Sequence, residues 1–204
     1  MGRLQQGLNK YFFQVGVIRY RKKYALPPIT IISSDCSGGV LLHDYGLPLD
    51  TPTVNLIIEG TDFVKLCSNL DHYMNTPLAL KEHTAPYPIA LCDDITIKGI
   101  HYHSFSELND AWTRRKERIH RDNIVYLISA CQISDRNMLE QFLALPGRKI
   151  VFCPQNYSLI LDNNNFVPLR KFEQMFMFSG LSGHRNIDKD FNFAQWYLNS
   201  RKEK

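Results

Sequence analysis

The chain alternates short, β-branched apolar runs with segments of helical periodicity, and this alternation restricts the fold more than any other feature. Ile29-Thr30-Ile31-Ile32, Thr53 to Ile58, Tyr87 to Leu91, Ile95 to Tyr102, Asn123 to Ser129 and Lys149 to Phe152 each read as a strand. Helical stripes lie between several of them. Phe63, Leu66, Leu70 and Tyr73 follow a cap at Thr61 or Asp62. Leu108, Trp112 and Ile119 follow the capping-box pattern Ser104-Phe105-Ser106-Glu107, in a helix expected to run from 106 to 121. Met138, Phe142 and Leu145 follow Ser134 or Asp135, and Phe191 to Leu198 forms a short final helix. Such a pattern predicts an α/β fold of three layers. A mostly parallel sheet carries helices on both faces, and an antiparallel hairpin is added around Asp93-Asp94.

At 204 residues the chain suits a single α/β domain over 27–204, preceded by a segment over 1–26. No apolar run approaches the roughly 20 residues of a bilayer span. The first residues lack the apolar core of a secretory leader. Net charge is +4, but it is unevenly spread: residues 1–34 hold Arg3, Lys10, Arg19, Arg21, Lys22 and Lys23 and no acid. The remainder is slightly acidic, which argues against a nucleic-acid partner, because that role needs a basic face on the folded body. Leu4, Leu8, Phe12 and Val15 give the same segment an apolar stripe. The stripe either packs on the domain or lies in a membrane interface, with the basic cluster facing anionic lipid.

Cys36, Cys67, Cys92, Cys131 and Cys153 are widely spaced and form no Cys-x-x-Cys pair, so neither a zinc ribbon nor a thioredoxin-like site is expected, and the residues suit a reducing compartment. Cys36 stands apart because it sits in Ser33-Ser34-Asp35-Cys36-Ser37-Gly38-Gly39, directly after the first strand. Ligands of open α/β sheets bind beyond the carboxyl ends of strands. Glycines in such a turn permit close backbone approach, and successive N–H groups can cradle an anion. The segment is neither a Walker loop nor a Gly-x-Gly-x-x-Gly fingerprint, and a tight turn alone also accounts for it. Cys36 is a nucleophile if a base such as His43, His101 or His103 comes near, a site-lining residue, or simple packing.

Asp93-Asp94 suits a turn, in which Asp bonds its own backbone, or metal or hydroxyl binding, or general base work. His101 and His103 alternate on an expected strand and so point the same way; they offer two metal ligands without a located third, and His101 also suits a site-lining role. Arg114, Arg118 and Arg121 would share a helix face, either solvated or clamping a phosphate or carboxylate, while Arg115 falls on the apolar stripe, partly buried and paired.

Three stretches together resemble a known family. They are Ile31 to Gly39 with Gly46-Leu47 and Pro52-Thr53; Tyr87-Pro88 with Asp93-Asp94 and His101-Tyr102; and Trp112 to Ile119 leading to Asp122-Asn123-Ile124. The chain resembles, over about residues 28–198, an uncharacterised bacterial domain-of-unknown-function family often labelled "exopolysaccharide biosynthesis protein". Family patterns place Asn where this chain has Ser34, Asp35 and His120, whereas Cys36, Gly39, Trp112 and Arg118 match. The resemblance implies a transferase of the acyl or glycosyl type in surface polysaccharide biosynthesis, acting on a sugar intermediate with an anionic donor such as a nucleotide sugar or acyl donor. On that reading Cys36, Asp94 and His101 are the catalytic candidates. Ser33, Ser34, Asp35, Gly38, Gly39 and Arg118 would bind the ligand. The expected location is cytoplasmic, with residues 1–24 in peripheral contact with the inner membrane face. The other expectation is a non-catalytic binding module of a membrane-associated assembly complex. No cofactor is indicated.

Overall fold

The computed structural model describes residue 24 and residues 26–82, 84–159, 164–177 and 185–201. The amphipathic basic segment lies almost wholly outside the described residues. In chain order the elements are β1 (Thr30–Ser33), α1 (Ser37–Asp44), α2 (Gly60–Ser68), α3 (Leu70–Asn75), β2 (Ala79–Lys81), β3 (Ile89–Cys92), β4 (Ile95–Lys98), α4 (Phe105–Lys116), β5 (Ile124–Ser129), α5 (Arg136–Ala144), β6 (Arg148–Pro154), β7 (Phe166–Leu169) and α6 (Phe193–Ser200). Strands β1, β5, β6 and β7 form a parallel sheet in that order, and β2, β3 and β4 form an antiparallel sheet.

Period-two alternation sends neighbouring residues of each central strand into different cores. On one face Ile31, Val125, Leu127, Ile150 and Phe152 pack with Leu41, Leu42, Phe193 and Tyr197 of α1 and α6. On the other, Ile32, Tyr126, Ile128 and Val151 pack with Phe63, Trp112 and Phe142 of α2, α4 and α5, and with Ile95 and Ile97 of the antiparallel sheet. The three-layer α/β architecture follows, and the expected hairpin is extended by the short outer strand β2. Among the described residues no helix is long and apolar enough to cross a membrane.

Local signals set several helix starts. Ser104 Oγ accepts from Glu107 N at 3.2 Å, Asp135 Oδ1 from Met138 N at 2.9 Å and Asn192 Oδ1 from Gln195 N at 3.0 Å. The start of α2 differs from expectation. It opens at Gly60, where a Cβ would fall 1.9 Å from the Gln132 carbonyl, so only glycine admits the close approach to the turn after β5. Asp62 does not cap; its carboxylate accepts the Thr96 N–H at 2.9 Å and ties α2 to the antiparallel sheet.

Three expectations are corrected. Thr53 to Ile58 is not a strand: Asn55 is left-handed at φ 64°, and only Ile57 bridges, to Lys98. The strand from Ile95 stops at Lys98, because Gly99 N donates to Pro88 O and Tyr102 N to Gly99 O, both at 2.9 Å, turning the chain. His101 and His103 are therefore not alternate residues of a strand. Helix α4 ends at Lys116, and the chain turns so that His120 N reaches Thr30 Oγ1 at 2.8 Å. Arg118 and Arg121 leave the helix, and the shared face with Arg114 does not form.

Trp112 shows how tightly the second core is filled: 1% exposed, it lies among Phe63, Leu108 and Phe142 in the same cluster. Its Nε1 has no hydrogen-bond partner among the described residues. Truncating Trp112 to alanine is expected to cost about 3–5 kcal/mol in urea unfolding; a loss under about 1 kcal/mol would contradict this packing.

Candidate functional site

The turn from β1 into α1 is built by hydroxyl groups with almost no access to water. Ser33, Ser34, Ser37, Thr51, Thr53 and Ser129 are all buried. Buried polar groups need partners, and these find one another. Ser33 N donates to Thr53 Oγ1 at 3.0 Å, and Ser33 Oγ donates to the Asp35 carbonyl at 2.7 Å while accepting from Gly38 N at 3.2 Å. Ser34 Oγ accepts from Ser129 N at 3.4 Å. A Cβ on Gly38 would stand 2.6 Å from Ser33 Oγ, so this crossing requires glycine.

Two N–H groups of the expected anion cradle already have acceptors within the turn, Gly38 N on Ser33 Oγ and Ser37 N on Asp35. The Asp35 carboxylate accepts from Ser37 N at 2.8 Å and from the Ser37 hydroxyl. Ser33, Ser34, Asp35 and Gly38 thus spend their polar groups on shaping the turn. Cys36 and Gly39 instead face outward, and with Val40 and His43 they make an i, i+3, i+4, i+7 stripe along α1.

That stripe forms one wall of a cavity of about 390 Å³ beyond the carboxyl end of β1. Leu49 and Val54 from the loop after α1, together with Phe176, make it apolar on one side. His101, Arg115 and Arg185 come from the loop after β4, the last turn of α4 and the segment before α6. No carboxylate is among the described lining residues.

The two guanidinium groups are held differently. Arg115 Nη1 donates to Tyr102 Oη at 2.5 Å, and Tyr102 Oη donates to the Val54 carbonyl at 3.1 Å. Burial pushes the Tyr102 phenol up despite Arg115 beside it, so it stays neutral and leaves the Arg115 charge in place. Arg115 has no carboxylate partner among the described residues. Arg185 Nε donates to Asp44 Oδ2 at 2.7 Å and Nη1 to the Phe176 carbonyl at 2.6 Å, with Asp44 only 6% exposed at its side chain. Asp44 Oδ1 also lies 3.3 Å from His43 Nδ1, which orients that imidazole at the rim. Burial pushes the Asp44 carboxyl up, opposed by Arg185 and His43.

The expected site residues divide. Cys36, Gly39 and His101 line this cavity. Asp94 does not: it sits on the exposed β3–β4 turn, where Lys65 Nζ donates to it at 2.7 Å and Tyr73 Oη at 2.8 Å. Those bonds, Lys65 first, hold its carboxyl below the ordinary range, which weakens it as a base. Asp93 takes the left-handed conformation of that turn, at φ 54°. Arg118 is also elsewhere, 3.6 Å from Asp50 Oδ1, with His120 Nε2 at 3.1 Å from the other oxygen. Among the described residues no group of three or more His, Cys, Asp or Glu is placed to hold a metal ion. Arg185 carries no local sequence signal, because it reaches the site from 141 residues beyond its partner Asp44. His43, a candidate base for Cys36 in the sequence, reaches the cavity as the i+7 neighbour of Cys36 on α1.

Burial, and then the Asp35 charge, push the Cys36 thiol up to about 11. A nucleophilic cysteine needs the opposite environment. Alkylation of Cys36 by iodoacetamide, followed by peptide mass spectrometry, is expected to be slow at neutral pH and to accelerate as pH rises toward 11. Fast labelling with a midpoint below neutrality would restore the nucleophile.

Comparison with known proteins relates the sequence to a family of unknown function. An uncharacterized protein of Haemophilus influenzae (strain ATCC 51907 / DSM 11121 / KW20 / Rd) is 29% identical over 181 residues, spanning 87% of each chain. The family model described as Domain of unknown function (DUF1919) matches residues 8–198, from within the basic segment into α6. The chain therefore belongs to the DUF1919 family.

Proposed function

We propose that the protein is a transferase of surface polysaccharide biosynthesis that binds an anionic donor in the cavity beyond β1 and acts on a sugar intermediate. One observation carries this reading: two guanidinium groups and two imidazoles converge on a half-apolar cavity with no carboxylate among its described lining residues. Guanidinium groups match the oxygens of phosphate and carboxylate, and the low-dielectric wall strengthens their attraction. His101 makes no described hydrogen bond and stands at the rim, where it can accept a proton from an acceptor hydroxyl; His43, oriented by Asp44, is the second candidate for that proton. The sugar intermediate and the polysaccharide pathway rest on the sequence resemblance.

A second reading is favoured by the burial and the Asp35 charge that push the Cys36 thiol up, and by the position of Asp94 outside the cavity. It makes the protein a non-catalytic module that binds the same anion within a membrane-associated assembly complex. Peripheral membrane contact through residues 1–24 belongs to both readings.

Incubation of the full chain with sugar 1-phosphate, acyl-CoA or nucleotide-sugar donors and sugar acceptors, followed by mass spectrometry, separates the two. The transferase reading expects a product whose yield falls by about 10²-fold or more in His101→Ala or His43→Ala, the usual scale for loss of a general base. Donor binding without product in any combination favours the module. Unchanged yield in both histidine variants and in Arg115→Ala rejects this cavity as the transferase site.

A further inference from the structure

The reading of this cavity as an anion site can be taken to a ligand class, and the inference rests on that reading. We propose that the anion is a phosphomonoester on a ligand of monosaccharide size, gripped by Arg115.

The first argument is the number and placement of donors. Arg115, Arg185, His43 and His101 arrive from α4, the segment before α6, α1 and the loop after β4, so they approach a bound group from different directions. A carboxylate has two oxygens, and one guanidinium fork can satisfy both. A phosphomonoester presents three terminal oxygens, which suits several convergent donors. Arg185 already spends Nε on Asp44 and Nη1 on the Phe176 carbonyl, which fixes its plane. Arg115 spends Nη1 on Tyr102, which aims the group and leaves Nε and Nη2 without a described partner.

The second argument is charge. Asp44 pairs with Arg185 from behind the wall, whereas Arg115 makes no ion pair with a carboxylate among the described residues, and the Glu107 charge acts on Tyr102 beside it. The cavity therefore keeps a fixed positive charge at one known point, and the anionic end of the ligand belongs there.

The third argument is size. About 390 Å³ lies near the lower end of the roughly 300–1,000 Å³ typical of small-molecule clefts. The apolar side made by Val40, Leu49, Val54 and Phe176 offers a surface for the C–H face of one sugar ring. The nucleoside part of a nucleotide sugar would extend past His43 and His101 at the rim and gain little from the enclosed walls.

Isothermal titration of the full chain at fixed salt tests this with four probes: inorganic phosphate, glucose 1-phosphate, glucuronate and UDP-glucose. Glucose 1-phosphate is expected to bind at least about tenfold more tightly than glucuronate, a difference of about 1.4 kcal/mol. Inorganic phosphate should compete with it, and UDP-glucose should gain no affinity over it. Arg115→Lys keeps the charge but loses the planar fork, and should weaken glucose 1-phosphate about tenfold or more. Arg201→Ala, in the separate basic cleft with Arg148 at the amino end of the sheet, should leave binding unchanged. Melting temperature and circular dichroism of both variants report folding independently. Glucuronate binding as tightly as glucose 1-phosphate, or a clear preference for UDP-glucose, overturns the phosphomonoester while leaving an anion site in place. Full affinity in Arg115→Lys removes Arg115 as the grip. Loss of binding in Arg201→Ala alone moves the site to the other cleft and overturns both readings, as does the absence of binding by all four probes.

Discussion

Ser33 Oγ sits at the point where β1 crosses under the first turn of α1, and the rest of the site depends on that crossing. It accepts from Gly38 N and donates to the Asp35 carbonyl, holding strand and helix at a separation that leaves no room for a Cβ at position 38. Thr53 Oγ1 closes the other side by accepting from Ser33 N. The turn therefore fixes the direction of α1, and with it the line along which Cys36, Gly39, Val40 and His43 face the cavity. Ser33 Oγ, Ser37 N, Gly38 N and the Asp35 carboxylate are used in building the bend, and the cationic groups at the cavity come from elsewhere in the chain.

Two anchors bring that charge in. Tyr102 receives Arg115 and is itself tied to the Val54 carbonyl, which couples α4 to the loop that covers α1. Asp44, at the end of α1, receives Arg185 and draws the segment before α6 over the same wall. The Asp44–Arg185 pair is nearly buried, and removal of one partner from such a pair leaves an uncompensated charge. The cavity is thus assembled from side chains far apart in sequence, each held by a bond to another element.

Much of the architecture was legible because it rests on local chemistry. The β-branched runs Ile29 to Ile32, Asn123 to Ser129 and Lys149 to Phe152 give three of the four parallel strands, and Ser104 and Asp135 cap the helices expected of them. The misreadings share a non-local cause. Thr53 to Ile58 has strand composition, but Thr53 is drawn to Ser33 and Asn55 turns the chain. The basic run after Trp112 keeps helical spacing to Arg121, yet the helix ends at Lys116 so that His120 can bond Thr30. The site was half legible for the same reason. Cys36 and His101 line the cavity, Arg115 reaches it from the helix stripe, and Arg185 enters through a contact that no spacing reports.

Anion binding in the cavity beyond β1 is the proposal on which both readings of the site depend. Diffraction from crystals of the full chain soaked in tungstate, recorded at an energy where tungsten scatters anomalously, tests it directly. An anomalous peak is expected within hydrogen-bond reach of Arg115 and facing Arg185, between the α1 stripe and His101. Peaks confined to the Arg148–Arg201 cleft, with none beside Arg115, would contradict it.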